Sequence, residues 1–585
     1  MSKSASSLTW RLPQRVAYVV NHSYPYSSDG YAVRTHEVAR ALTQLGHEML
    51  VINRPGRPWD IEGFDANTSV RTEQMIDGVR YIFLPSPIEA GGNRRARLRQ
   101  TERVLFETFE VFRPGAVMAV SNWENAEPAQ NAARRCGSPF FYEQRGFWEM
   151  SRAACEPEYE ASDNYQLDRQ NEVRVAKAAR AVFTLNGAMR DELVRRGVAR
   201  GKIHLVPNGV AEPAAVPRGI TRASLGCSSK YLLGYVGSLS DYEGSGDLLQ
   251  LMSILRDGGV DVDLMIVGSS APKGLIGSQH ETPTKTRLRA GAKALQLADH
   301  VHFVPQVAQQ QIGAYYSMVD AIVMPRRRTP VTELVAPLKP YAAAAYGVPV
   351  FMTDMPPLDE VARDIYGSLF PEGDIPALAA MVREALEQGD HPAVMNVVKT
   401  RLLWPRRVQP MSRLLRAAAA EQPVLSKLLG AHPSGSGAGS ASVQGQFDTH
   451  ILPGVALRAQ TDLGPVAALG PCVDLAAETK VIHLTRINIL TELATADVGR
   501  FVIDWAGLQE RAGIDSGEWD GLWSTDNMRL NRQVMDACRI ALDRGWRLQV
   551  RGPVQRAQAP LFRTVSGVLE EILPEPQVIL QEAAQ

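Results

Sequence analysis

Between Pro325 and Asp354 the chain reads PRRRTPVTELVAPLKPYAAAAYGVPVFMTD. Three consecutive arginines, Arg326, Arg327 and Arg328, precede Glu333, Lys339 and Pro340. Such a mixture of cations and one carboxylate suits an anionic ligand, phosphate above all. A solvated basic loop ahead of a packed helix would show the same pattern. Three further stretches combine reactive types. EQRGFWE places Glu143, Arg145, Trp148 and Glu149 together, either as a site for a second substrate or as a capped turn with a packed indole. YVGSLSDYEGSGD carries Gly237 and Gly244 ahead of an apolar helical pattern, and a glycine there admits a phosphate to a helix N-terminus. HSYPYSSDGY carries Gly30, where the loop backbone can approach a ligand or simply turn tightly.

These stretches lie where strands end and helices begin. A strand from Asp320 to Met324 leads into the arginines, an alanine-rich helix follows Lys339, Gly347 stops it, and a strand starts at Val350. Residues 15–21 form an apolar strand run, a helix follows Gly30, and Val33, Val38, Ala41, Leu42 and Leu45 make its apolar face. Strands are expected over 78–85, 116–120, 138–142, 181–185 and 300–307, and helices over 167–179, 188–196 (capped by Asn186) and 288–297. Residues 271–286 read as a long polar loop. Alternating strands and helices imply parallel, doubly wound sheets, whose ligands bind outside the carboxyl ends of the strands.

The order and spelling of these stretches resemble family 4 glycosyltransferases of the GT-B fold over residues 14–420. ELVAPLKPYAAAAYGVPVFMTD is similar to the family's donor-site segment, SDGYAVRTHEVARALTQLG to its first loop and helix, and the strand-PNG ending at Asn208 and Gly209 to its cleft edge. The resemblance implies an α/β chain: two Rossmann-like doubly wound domains facing a cleft. They take residues 1–225 (acceptor side) and 226–421 (donor side, ending in a helix that crosses back). It implies catalytic roles for Glu333, Arg145 and Glu143. Donor contacts would come from Gly237, Ser238, Arg326, Lys339, Pro340 and Val307, and acceptor contacts from Gly30, Tyr31, Arg34 and Trp148. Departures are specific. The family's second glutamate falls on Ala342, its arginine and lysine after the donor glycine fall on Ser238 and Glu243, and its His-Gly pair is Arg145-Gly146. Arg326 and Lys339 are then the cations available to a diphosphate. The Arg-Gly variant and the acidic segment Glu156 to Glu158 resemble a branch associated with bacterial exopolysaccharide loci. His36, on the first helix, reads as a surface histidine.

The implied activity is retaining transfer of a sugar from a nucleotide-diphosphate sugar to a glycan or lipid-linked acceptor, with no cofactor and no metal. A nucleotide- or partner-binding pseudoenzyme is an alternative that Ala342, Ser238 and Glu243 keep open. A nucleotide-sugar epimerase is a third reading, for which no matching catalytic acids stand out. With 63 Lys+Arg against 63 Asp+Glu the net charge is zero, which gives no field for nucleic acid. Cys136, Cys155, Cys227, Cys472 and Cys538 form no CxxC pair and no zinc spacing, which fits reduced thiols in the cytoplasm. No segment is apolar enough to span a membrane, while peripheral contact with its inner face stays compatible with the composition.

Residues 422–446 are a Gly/Ser-rich linker, and 447–585 are expected to fold as a separate small α/β domain that positions an acceptor or a partner. Its Asp504, Trp505, Glu518, Trp519, Asp520 and Trp523 invite a sugar-binding reading, against which stand core tryptophans with helix-capping acids.

Overall fold

A computed structural model of the 585-residue chain describes residues 11–85 without 66, 93–211, 220–268 without 238, Leu275, 283–389 without 306 and 308, and 401–421. In the last part it describes 447–448, 465–470, 480–504 without 497, Trp519, and 528–551 without 545. The Gly/Ser-rich stretch and most of the 504–523 tryptophan and carboxylate cluster lie outside the described residues.

The first sheet is built from β1 (Leu12–Val20), β2 (Glu48–Asn53), β3 (Glu73–Ile76), β4 (Val79–Ile82), β5 (Pro114–Val120), β6 (Phe140–Gln144), β7 (Ala181–Thr184) and β8 (Ile203–Leu205). Their order is β3-β4-β2-β1-β5-β6-β7-β8, all parallel except β3. Residues 16 to 20 of β1 are all buried, as a strand covered on both faces by helices must be. The sequence predicts a single strand from Gly78. The structure instead folds a hairpin over Asp77-Gly78, whose φ angles of 49° and 79° are those of a two-residue turn.

The second sheet takes β9 (Tyr231–Val236), β10 (Val262–Val267), β11 (Val301–Val304), β12 (Ala321–Met324), β13 (Val350–Thr353) and β14 (Ser368–Phe370). Its order is β11-β10-β9-β12-β13-β14, wholly parallel. Among its parallel strands each sheet reverses its order between β1 and β5 and between β9 and β12. The crevices at those points are where such sheets hold ligands. The helix expected over 288–297 runs Pro283–Ala294, so the end of the expected loop is helical.

Contacts between the two units come from the carboxyl ends of both sheets. Asn186 Nδ2 donates to the Leu334 carbonyl (2.9 Å), Asn208 Nδ2 to those of Ala336 (3.3 Å) and Pro337 (3.2 Å), and Ser28 Oγ to that of Val307 (3.4 Å). The two carboxyl edges therefore face each other. The chain then returns to the first unit through the helices Trp404–Arg407 and Gln409–Ala420. Ser412 Oγ and His47 Nε2 lie 2.9 Å apart, and Trp404 is buried against Gly209, where an added Cβ would stand 2.8 Å from the indole.

A third parallel sheet, β15 (Phe447–Asp448), β16 (Val466–Leu469), β17 (Val481–His483), β18 (Arg500–Asp504) and β19 (Arg547–Arg551), has the order β15-β19-β18-β16-β17. The layering is α/β, and this part packs on the first unit. One apolar cluster takes in Phe109 and Phe112 of the helix Arg94–Phe112 together with Leu530, Val534 and Ala537 of the helix Met528–Asp543. The Arg532 guanidinium lies over the Phe106 ring at 5.0 Å. The helix Met528–Asp543 is apolar along this side and finds its cover on the first unit.

Trp404→Ala is expected to cost about 3–5 kcal/mol in urea denaturation, because the indole fills the space against Gly209 that the returning helix cannot close. Gly209→Ala should also destabilise, because the new methyl meets the indole and the Leu402 carbonyl at 3.0 Å.

Candidate active site at the facing sheet edges

In the second unit β9 ends at Val236, and Gly237 follows with φ +145°. A Cβ there would come 2.1 Å from Lys339 Cε, so the lysine stem lies directly across the glycine. Gly244, with φ +68°, packs against the Pro325 carbonyl at a distance only a hydrogen allows. Between these contacts Glu243 is 4% exposed. Lys339 Nζ donates to Glu243 Oε2 (2.7 Å) and to the Tyr235 hydroxyl (2.9 Å). Arg326 Nη2 stands 3.5 Å from Glu243 Oε1, and its Nη1 donates to the Val335 carbonyl at 3.1 Å. Burial pushes the Glu243 carboxyl up, but Lys339 and Arg326 outweigh this and hold it below its usual range. Burial draws the Lys339 ammonium down, with Glu243 opposing.

This corrects the sequence expectation. Arg326 and Lys339, expected as the cations available to a diphosphate, lie together but are not free, because Glu243 already lies between them. The other two arginines are also engaged. Arg327 pairs with Asp247, and Arg328 reaches Glu333 Oε1 at 3.1 Å. Glu333 is 45% exposed on a turn whose Val335 approaches Gly146 of the first unit, 4.0 Å from where a Cβ would stand. Pro340 is buried in the first turn of the helix Lys339–Ala345, where its missing N–H costs nothing, and Ala342 is half-buried on that helix. Val307 meets the first unit through its carbonyl. Ser238 lies outside the described residues.

In the first unit Gly30 is the exposed first residue of the helix Gly30–Gln44, capped by Asp29, whose Oδ1 accepts from the Ala32 amide at 2.9 Å. The Tyr31 hydroxyl accepts from the Asn21 amide (2.9 Å), and its ring stacks on His22 at 4.5 Å. Trp148 stands edge-on to Tyr31 at 6.2 Å and is half-buried.

Glu143, Arg145 and Arg34 were expected at the cleft with groups to spare. The structure places them inside. Glu143 is 0% exposed. Arg34 Nε donates to Glu143 Oε1 (2.9 Å), Nη1 to Asn208 Oδ1 (2.8 Å) and Nη2 to the Val206 carbonyl (2.8 Å). Arg145 Nη2 donates to Glu143 Oε2 (2.8 Å) and to the Tyr18 hydroxyl, and Nη1 to the Tyr31 carbonyl (2.8 Å) and Thr35 Oγ1 (2.9 Å). Burial alone would push the Glu143 carboxyl up, but Arg145 and Arg34 hold it down to about 2. These three side chains fix the strand ends that bound the cleft. His36 is likewise buried, with Nδ1 2.7 Å from the Tyr81 hydroxyl, which corrects its reading as a surface residue.

Two members of these clusters and one further buried carboxylate escaped the sequence reading. Tyr18 and Tyr235 sit inside apolar strand runs and looked like core. Glu172, on the helix Asp163–Ala178, is buried, accepting from the Trp123 amide (2.8 Å) and from the Tyr142 hydroxyl. Burial, then the neighbouring Glu149, pushes its carboxyl up to about 8.

Residues 29–209 match the glycosyl transferase 4-like domain, and residues 220–397 match glycosyl transferases group 1. A D-inositol 3-phosphate glycosyltransferase from Streptomyces avermitilis is 25% identical over 404 residues, covering 66% of this chain and 82% of that protein. A mannosylfructose-phosphate synthase from Agrobacterium fabrum is 23% identical over 358 residues, covering 56% of this chain and 74% of that protein. Among solved structures, sucrose-phosphate synthase from Thermosynechococcus elongatus superposes with a TM-score of 0.54 at 18% identity, over 70% of this chain and 99% of that one. Anabaena HepE in complex with UDP superposes with a TM-score of 0.51 at 15% identity, over 69% of this chain and 100% of that one. The fold is therefore GT-B, with two Rossmann-like domains, and the domain matches support a GT-B glycosyltransferase of group 1.

Glu143→Gln should cost about 3–5 kcal/mol, since two buried arginines lose their counter-charge. Its folded pKa lies below the unfolded value of about 4.3, so its stabilisation is present above that value and disappears as pH falls toward 2. Acid titrations of the variant should lack that part of the transition. Glu172 has the opposite sign. Its folded pKa lies above the unfolded one, so stability is lost as pH rises from about 4.3 to 8. Glu172→Gln should melt higher than the native chain at pH 8, and the difference should vanish near pH 4.

Proposed function

We propose that this chain moves a sugar from a nucleotide-diphosphate sugar to a glycan or lipid-linked acceptor in bacterial surface polysaccharide synthesis, with retention of anomeric configuration. The observation that carries this reading is the cluster of Gly237, Glu243, Arg326 and Lys339 at the order reversal of the second sheet. Two cations there face one carboxylate. The cluster keeps a net positive charge, and the buried Nε of Arg326 has no hydrogen-bond partner. A departing nucleoside diphosphate gains negative charge as the glycosidic bond breaks, and cations already in place stabilise it without reorganisation. No metal or cofactor enters this reading. In this reading Glu333, half-exposed on the turn whose Val335 approaches Gly146, is the carboxylate that faces the donor sugar. Tyr31 and Trp148 offer ring surface to an acceptor, while Arg145, Glu143 and Arg34 hold the wall behind them.

The names of the related proteins support a sugar donor, and HepE was solved with UDP. Among the described residues no helix is long and apolar enough to cross a membrane. Peripheral contact with the inner face of the cell membrane is part of the proposal, since a lipid-linked acceptor would be presented there.

One observation favours a second reading, a nucleotide-binding protein with little turnover. Glu243 sits where a diphosphate would need cations, and it engages both of them. Calorimetry with UDP and other nucleoside diphosphates, followed by assays of diphosphate release from the corresponding nucleotide sugars, separates the two. A transferase binds and releases, whereas a binder only binds. A sugar changed without any acceptor would identify an epimerase. Lys339→Ala should weaken nucleotide affinity by about 1.5–3 kcal/mol, as for a hydrogen bond to a charged group. Glu243→Gln should tighten it, because the internal competitor loses its charge. Unchanged affinity in both variants would remove the cluster from the donor site. Glu333→Gln should reduce turnover more than binding, and equal turnover would make Glu333 a loop residue only.

A further inference from the structure

At the opposite, amino-terminal edge of the donor sheet, three side chains from separate segments converge. Cys227 precedes β9, Asp263 is the second residue of β10, and His302 is the second residue of β11. Their donor atoms all lie within 4.8 Å of one another. His302 Nε2 stands 3.3 Å from Asp263 Oδ2, yet this buried nitrogen makes no hydrogen bond. With zinc bonds of about 2.0–2.3 Å to nitrogen, oxygen and sulfur, neighbouring ligand atoms of a tetrahedron are about 3.3–3.6 Å apart. The imidazole and carboxylate already have that separation. We propose that Cys227, Asp263 and His302 bind a divalent transition-metal ion, zinc by its ligand chemistry, with water in the fourth position.

The surroundings agree with a built site. Asp263 is 0% exposed, and its carboxylate is oriented by the amides of Ser228 (3.0 Å) and Ser229 (3.3 Å), by Ser229 Oγ (2.9 Å) and by His300 Nδ1 (2.9 Å). Hydrogen-bonded support of a ligating carboxylate is what metal centres use to set its direction. A thiolate, a carboxylate and a neutral imidazole together balance a double positive charge, in a place where an unbalanced charge would be costly. Zinc would tie the segment entering the donor domain to two of its strands, away from the cleft, so the site is independent of the sugar-transfer reading. Sequence spacing could not show it, because the ligands stand 36 and 39 positions apart, on the segment entering β9 and on the two strands β10 and β11 beside it.

The test uses the full chain, purified without chelator, loaded with zinc chloride and dialysed. Mass spectrometry of the metal content should find roughly one zinc per chain, and loading should raise the melting temperature. Cys227→Ser and His302→Gln should each abolish retention. His300→Gln, which removes only a partner of Asp263, should keep the zinc but weaken it about 10- to 100-fold in competition with a chromophoric chelator. In the cobalt-substituted chain the thiolate charge-transfer band should vanish with Cys227→Ser. Where a variant fails to fold, the native chain decides alone: zinc must protect Cys227 from alkylation while Cys155 stays reactive. No retained zinc, no protection, or a cobalt spectrum indifferent to Cys227→Ser would overturn the proposal, leaving Asp263 as a cap for the turn before β9.

Discussion

A carboxylate taken out of water must meet cations or lose its charge, and both domains of this chain are organised around one such group. Glu143 lies between Arg34 and Arg145, and Glu243 between Arg326 and Lys339. Each is approached by a tyrosine from the first strand of its own sheet, Tyr18 on β1 and Tyr235 on β9. The two centres do the same mechanical work. Glu143 ties the end of β6 to the first helix and, through Arg34, to the loop after β8. Glu243 ties the turn after β9 to the loop after β12 and to the start of the helix Lys339–Ala345. In each case one buried charge holds several loops at the carboxyl edge, where side-chain packing alone would leave them mobile.

The centres are linked by one residue. Asn208 accepts from Arg34 and donates to Ala336 and Pro337, three and two positions ahead of Lys339. The Glu143 centre of the first unit and the Lys339 ammonium of the second thus share a short covalent and hydrogen-bonded path. Contacts of this kind, side-chain amides on backbone carbonyls, contribute only about 0.5–1.5 kcal/mol each, so the cleft can open by breaking them one domain against the other. The returning helices behave differently. Trp404 and the pairing of Val210 with Leu402 (2.7 Å) anchor them on the first domain.

Much of this was legible in the residues. Apolar runs broken by glycine and proline report strands and helix stops because those signals are local. The segments facing the cleft were found for the same reason: Gly237, Lys339 and Tyr31 lie at strand-to-helix transitions. What periodicity could not carry was the pairing of charges. Arg34 meets a carboxylate 109 positions away, and Lys339 meets one 96 away. Seen singly, Arg34 and Arg145 look like exposed ligand-binding groups, and only the fold shows their hydrogen bonds spent inside. His36 was misplaced likewise, because its partners Tyr81 and Asp77 belong to the β3–β4 hairpin. The docking of the last helix on the helix Arg94–Phe112 is a match of two apolar sides that neither segment announces alone.

The three arginines after β12 show how far local charge can mislead. Adjacent in sequence, they go to different carboxylates, Arg326 to Glu243, Arg327 to Asp247, and Arg328 to Glu333 and Glu372. The run is not a basic patch but a set of fixed struts, consistent with a chain whose net charge is zero. On the proposed reading this changes what donor binding means. A diphosphate entering beside Gly237 does not find bare cations. It competes with Glu243 for charges that the protein has already satisfied, so much of its Coulomb attraction is cancelled by the exchange. Nonspecific anions, which have nothing else to offer, are then rejected. A nucleotide sugar can still bind through its base and sugar contacts, and the negative charge that develops on its leaving group is drawn to the positive charge that Glu243 leaves over.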